Sequence, residues 1–161
     1  IGRIAFGVAG YNTSNPTAVR TDWPNPAVTS LYDGKYNYNF EPRTTPTSSP
    51  TLATNTTGAY NTAVGRQALS LNTVGSENAA FGWGSLYTNT GNYNTALGGQ
   101  ALYANTTASY NVAIGYLALQ LCSTGNNNTV LGYAAGGGIT TGYNNVLIGL
   151  QAGYNTTNIN N

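Results

Sequence analysis

Hydrophobic and polar positions in this chain recur together at a fixed interval. Six glycines, Gly65, Gly82, Gly98, Gly115, Gly132 and Gly149, stand 17, 16, 17, 17 and 17 residues apart. Immediately before them come Val64, Phe81, Leu97, Ile114, Leu131 and Ile148, and two before them Ala63, Ala80, Ala96, Ala113, Val130 and Leu147. Four before each glycine is an asparagine without exception: Asn61, Asn78, Asn94, Asn111, Asn128 and Asn145. Three after it the residue is small (Ala68, Ser85, Ala101, Ala118, Ala135, Ala152), and the next position reads Leu69, Leu86, Leu102, Leu119, then Gly136 and Gly153. An Asn-Thr pair follows at Asn72-Thr73, Asn89-Thr90 and Asn105-Thr106, with Cys122-Ser123 in the matching place.

A unit of this length is too short for the helix pairs of ankyrin or tetratricopeptide arrays, and its apolar spacing is not helical. Short aliphatic stretches bounded by Gly and Asn predict strands separated by turns. The expected architecture is all-β: coils of two short strands and two turns, stacked as a parallel β-solenoid. Each coil should advance the stack by about 4.8 Å, so that six span roughly 29 Å. The columns before glycine and at leucine are expected to fill the interior, and the small alanine columns to leave a flank where another backbone can approach. A thin coil has little core of its own, so stacking and association must supply the rest.

Composition sharpens this picture. Only 6% of the residues are charged, and after residue 60 the charged residues are Arg66 and Glu77 alone. Stacking sets equivalent side chains above one another, where two like charges repel by about 1 kcal/mol even at the dielectric of water. Asparagine columns can instead bond from coil to coil through neutral amides. Low-complexity Asn/Gly/Thr tracts are often disordered, but 40% of this chain is hydrophobic and recurs in register, which favours folding.

The array is assigned to residues 51–161. Residues 15–50 form a Pro-rich, non-repeating excursion whose Pro16, Pro24, Pro26, Pro42 and Pro46 exclude a central strand. Residues 1–14 form an orphan coil, because "IAFGVAGYNTSN" (4–15) matches "VLIGLQAGYNTTN" (146–158). Either the array is continuous and the excursion is an insertion, the preferred reading, or residues 1–14 dock on another subunit and build a filament head to tail. The chain starts without Met or a signal-peptide pattern, the mark of a processed chain or of a fragment.

The motifs "NTAVGRQAL" (61–69), "NTALGGQAL" (94–102) and "NVAIGYLAL" (111–119) resemble the head repeats of trimeric autotransporter adhesins and, more closely, repeat arrays of bacteriophage tail fibres. The resemblance runs over about residues 51–158 and weakens after Gly132. It implies a left-handed parallel β-roll, a homotrimer of intertwined or side-by-side chains, and an extracellular site of action on a virion or cell-surface appendage.

Candidate chemistry is sparse. The chain has no His, its single Cys122 has no partner base, and no Ser lies in a nucleophile motif, so no catalytic residue is assigned and no enzyme is expected. Asp22, Asp33 and Glu41 could form a glycosidase pair but read better as solvated loop charges. No metal site and no cofactor are expected, since a calcium-binding roll needs Asp in each turn. A net charge of +1 without a basic stripe argues against nucleic acid, and no apolar run reaches the ~18 residues of a membrane helix, so no membrane insertion is expected. The structural ladder comprises the six asparagines and six glycines above. Among the many tyrosines, Trp83, Tyr87, Tyr103, Tyr116 and Tyr133 are candidates for contact with a cell-surface glycan or receptor, against the alternative that they stack on one another along the fibre. Sequons occur at Asn12, Asn55, Asn105, Asn127 and Asn155, a frequency that an Asn/Thr-rich chain reaches by chance.

The function expected from these observations is that of a structural and adhesive fibre segment, part of a phage tail fibre or similar appendage reaching toward a host receptor. The alternative is a self-polymerising extracellular filament. An ice-binding or glycan-binding solenoid acting as a monomer is disfavoured, because the column with Thr62, Thr95 and Thr129 is interrupted by Ala79, Val112 and Val146.

Overall fold

The computed structural model describes residues 38–40, by backbone only, and 51–160. Seven three-residue strands form one parallel sheet in chain order: β1 Tyr38–Phe40, β2 Thr62–Val64, β3 Ala79–Phe81, β4 Thr95–Leu97, β5 Val112–Ile114, β6 Thr129–Leu131 and β7 Val146–Ile148. The register follows the sequence repeat, so Ala63, Ala80, Ala96, Ala113, Val130 and Leu147 are successive partners. The array is therefore a β-solenoid with one coil per repeat. β1 falls inside the proline-rich stretch and, among the described residues, is the last strand on its side of the sheet, pairing with β2. Residues 1–14 and most of 15–50 lie outside the described residues.

Two expectations about the coil need correction. Each carries one strand, not two. The opposite flank is a stack of tight turns, with Ala68 N–H donating to Gly65 O at 3.2 Å and Asn72 N–H to Leu69 O at 3.1 Å. Its leucines are held in the left-handed region, at φ 52° for Leu52, 51° for Leu69, 50° for Leu86, 53° for Leu102 and 49° for Leu119. That conformation costs a bulky residue about 1–2 kcal/mol. It is held by burial and by bonds between coils: Leu69 N–H reaches Ser85 O, and Leu86 N–H reaches Ala101 O, both at 3.0 Å.

The interior is also lined differently. The residue before each anchor glycine points outward: Phe81, Leu97, Leu131 and Ile148 are exposed, and Val64 and Ile114 half-buried. The alanine two before the glycine is the one turned inward, fully buried in β2 to β5. Side chains alternate along a strand, so the invariant asparagine and this alanine share the inner parity. Within 51–160 the core is thus alanine, leucine and asparagine, and the small columns leave no flank for a neighbouring backbone.

The anchor glycine follows from close stacking. Gly82 has φ of +129°, and a Cβ there would sit 2.6 Å from Gly98 O in the next coil. No side chain fits at that distance, and glycine alone adopts this conformation readily.

The weakened repeat after Gly132 is a repacking. Gly136 replaces the inward leucine in its left-handed position, and a Cβ there would meet Leu119 Cδ2 at 3.0 Å, Leu147 Cδ1 at 3.3 Å and Ile139 Cδ1 at 3.4 Å. Ile139 and Leu147, larger than the residues usual in their columns, fill the space a leucine occupies elsewhere.

Candidate functional site

The asparagine column of the repeat is a buried hydrogen-bonded rail. Asn111 Nδ2 donates to Gly125 O at 2.8 Å, and its Oδ1 accepts from Asn128 N–H at 2.9 Å and Asn128 Nδ2 at 3.0 Å. The pattern repeats from Asn61 to Asn145 with little change. A second, interrupted rail holds Asn55, Asn72, Asn89 and Asn105, all buried: Asn72 Nδ2 donates to Asn55 Oδ1 at 2.9 Å and Asn105 Nδ2 to Asn89 Oδ1 at 2.7 Å, while Asn89 Nδ2 donates to Gly91 O at 2.9 Å. The Asn-Thr pairs in the sequence were its signal. Cys122 continues this column, buried, its thiol against Gly125 O at 3.4 Å. Burial pushes that thiol up to about 11, opposed by the Gly125 backbone. Both rails are internal, so they hold successive coils together and offer nothing to a ligand.

Outside, the sheet presents an apolar face. Outward from the strands stand Thr62, Ala79, Thr95, Val112, Thr129 and Val146, and beside them Val64, Phe81, Leu97, Ile114, Leu131 and Ile148. From β2 to β7 this face extends over about 24 Å. On one side it is flanked by Tyr60, Glu77, Tyr93, Tyr110, Asn127 and Asn144, all in the left-handed conformation with φ between 57° and 60°. Within this flank Tyr93 and Tyr110 are stacked at 4.9 Å, and the charge of Glu77 and its hydrogen bond raise the Tyr93 phenol above its usual value.

On the other side stand Arg66, Trp83, Gly99, Tyr116, Tyr133 and Leu150, one after each anchor glycine. Trp83, Tyr116 and Tyr133 are exposed by 45%, 47% and 50%. The five aromatic candidates therefore divide. Tyr116 and Tyr133 are loosely stacked in this row, with centroids 5.9 Å apart and planes at 26°. Tyr87 and Tyr103 belong to a different column, half-buried and flat on one another at 5.0 Å and 4°, with Tyr103 closing over Gly84. That second pair is a stacking contact between coils.

A hydroxyl ladder occupies a further corner. Thr56 Oγ1 donates to Thr73 O at 2.8 Å, Thr90 Oγ1 to Thr106 O at 2.8 Å and Thr106 Oγ1 to Ser123 O at 2.9 Å. These hydroxyls are committed to the backbone of the next coil. Of the sequons, Asn55 and Asn105 are buried in the second rail, whereas Asn127 and Asn155 are exposed.

Among the described residues no group of three His, Cys, Asp or Glu is placed to hold a metal ion, and no helix is long and apolar enough to cross a membrane. The chain matches no protein-family model, no curated protein and no solved structure.

Proposed function

We propose that this chain is a structural and adhesive fibre segment, a homotrimeric shaft of a phage tail fibre or comparable extracellular appendage that reaches toward a host-cell receptor. The observation that carries this reading is the apolar outer face of the sheet. A run of exposed Phe81, Leu97, Leu131, Val146 and Ile148 is the kind of patch that marks an association surface. Covering it with the same face of two further copies would add the shared core that one thin coil lacks. The shortage of charge fits the same role, since stacked coils and stacked chains both penalise aligned charges.

Light scattering on the purified chain tests it. A species near three times 16.7 kDa is expected, and Leu97→Lys with Ile114→Lys should convert it to a monomer that keeps its β-sheet circular dichroism. A wild-type monomer at tens of micromolar would remove the proposal.

The second reading is a filament joined head to tail. Among the described residues β7 pairs on one side only, and Val146, Ile148 and Leu150 at that edge are exposed by 63%, 67% and 75%. The segment that matches this coil, residues 4–15, is the natural candidate to extend it in a neighbouring subunit. Deleting residues 1–14 should then abolish filaments in negative-stain images; a trimer that survives the deletion unchanged favours the first reading.

A further inference from the structure

Within 51–160 the charged residues are Arg66 and Glu77 alone, of opposite sign, both exposed, and on opposite flanks of the apolar face. We propose that Arg66 of one copy pairs with Glu77 of the next across the seam between two apolar faces, and that this pair sets the register of the copies. The inference rests on the homotrimeric reading above and names the residues that a second copy contributes.

Within one chain the two charges are held apart. Arg66 directly follows Gly65, level with β2, whereas Glu77 stands two residues before β3 in the column of Tyr60, its N–H donating to Ala59 O at 2.9 Å. The five residues between the two columns, three of them strand, separate them by roughly 15 Å. Glu77 is also fixed at its rim, since its carboxylate accepts a hydrogen bond from the Tyr93 phenol.

Cyclic association brings the flanks together. Copies related by rotation about an axis along the stack run in the same direction, and each sets the flank that follows its strands against the flank that precedes the strands of its neighbour. Arg66 and Glu77 then face one another one coil apart in height, about 4.8 Å, a step that the long arginine side chain covers. Antiparallel copies would set each flank against its own duplicate, where neither charge finds an opposite. Higher in the seam the residues are neutral, with Tyr116 and Tyr133 on one flank and Asn127 and Asn144 on the other. A stacked array penalises aligned like charges; one charge of each sign, placed where opposite flanks meet, escapes that penalty.

Sedimentation over a concentration series, with circular dichroism on the same samples, tests the pair. Arg66→Glu and Glu77→Arg each put like charges across all three seams of a trimer. An exposed ion pair is worth about 1.4- to 5-fold in association, so losing three weakens the trimer by roughly 3- to 150-fold, with the circular dichroism unchanged because both residues are exposed. The exchange variant carrying both substitutions should recover the loss. Mixing the two single variants should give mixed trimers more readily than either variant forms its own, because chains with two acidic flanks then meet chains with two basic ones. A contact within one chain cannot give that rescue, and the rescue should shrink in about 1 M salt. A wild-type trimer indifferent to both reversals, or reversals that neither the exchange nor mixing repairs, overturns the pair and leaves the fibre reading standing. A wild-type monomer overturns the fibre reading and the pair with it.

Discussion

Asn105 Oδ1 is buried without a hydrogen-bond donor, and the residue that follows it in the second rail is Cys122. In the regular part of that rail an asparagine amide serves two acceptors, as Asn105 Nδ2 does with Asn89 Oδ1 at 2.7 Å and Ala108 O at 3.1 Å. The thiol has a single hydrogen and directs it to Gly125 O. Cys122→Asn should restore the missing donor to Asn105 and keep the bond to Gly125. Relief of one buried unsatisfied acceptor is worth about 1 kcal/mol or somewhat more. A rise in the urea midpoint at unchanged slope is expected; a fall would mean that the rail has no room for the amide.

The same cysteine makes stability depend on alkaline pH. Its folded thiol is raised from 9.0 to about 11, chiefly by burial. A raised acid favours the protonated native state, so this contribution is complete below about pH 9 and is lost as pH climbs toward 11. The difference in unfolding midpoint between wild type and Cys122→Asn should therefore be constant up to pH 9 and shift against the wild type above it. At pH 8 a thiol reagent should modify Cys122 only after denaturant is added.

Neighbouring asparagines should respond very differently to truncation. Asn111→Ala removes the donor to Gly125 O and the acceptor of both Asn128 N–H and Asn128 Nδ2, all in a fully buried rail. The groups left unpaired predict a loss of about 3 kcal/mol. Asn126 is exposed, although its Oδ1 accepts from Ser109 N–H at 2.7 Å. Water can replace that bond, so Asn126→Ala should cost less than about 1 kcal/mol. Equal losses on thermal or chemical unfolding would deny the rail its special role.

The stacking axis was legible because it is written as repetition: a coil that must match its copy overhead repeats its residues, and the glycines reveal where backbones meet. The asparagine positions were readable for the same reason. What the eye could not recover was which side of each column faces inward. Val64 and Ile114 look like core residues and Ala63 and Ala113 like gaps, yet strand alternation inverts the two. The inner parity was available from Asn61 and Asn111, two residues before those alanines, had a buried amide been allowed to set it. The second flank misled for another reason. Leucine is a poor left-handed residue, so nothing local to Leu69 or Leu86 announces a turn in place of a strand. The aromatic candidates were found by type, but only distances show that Tyr87 pairs with Tyr103 and Tyr116 with Tyr133, while Trp83 bonds to Gln67.

The left-handed leucines permit a test that inverts a familiar order. Leu102 is fully buried at φ 53°, and truncation to alanine removes its packing at a cost of about 2–5 kcal/mol. In ordinary backbone a glycine variant would be worse than alanine by roughly 0.5–1 kcal/mol. Here alanine retains the left-handed penalty of about 1–2 kcal/mol and glycine escapes it. Leu102→Gly should thus be no less stable than Leu102→Ala, and up to about 1 kcal/mol more stable. Gly136, which occupies the equivalent left-handed position at φ 60°, shows that the coil accepts the residue once Ile139 and Leu147 fill the space. A glycine variant clearly below the alanine one would show that residue 102 leaves the left-handed conformation when its side chain is cut back.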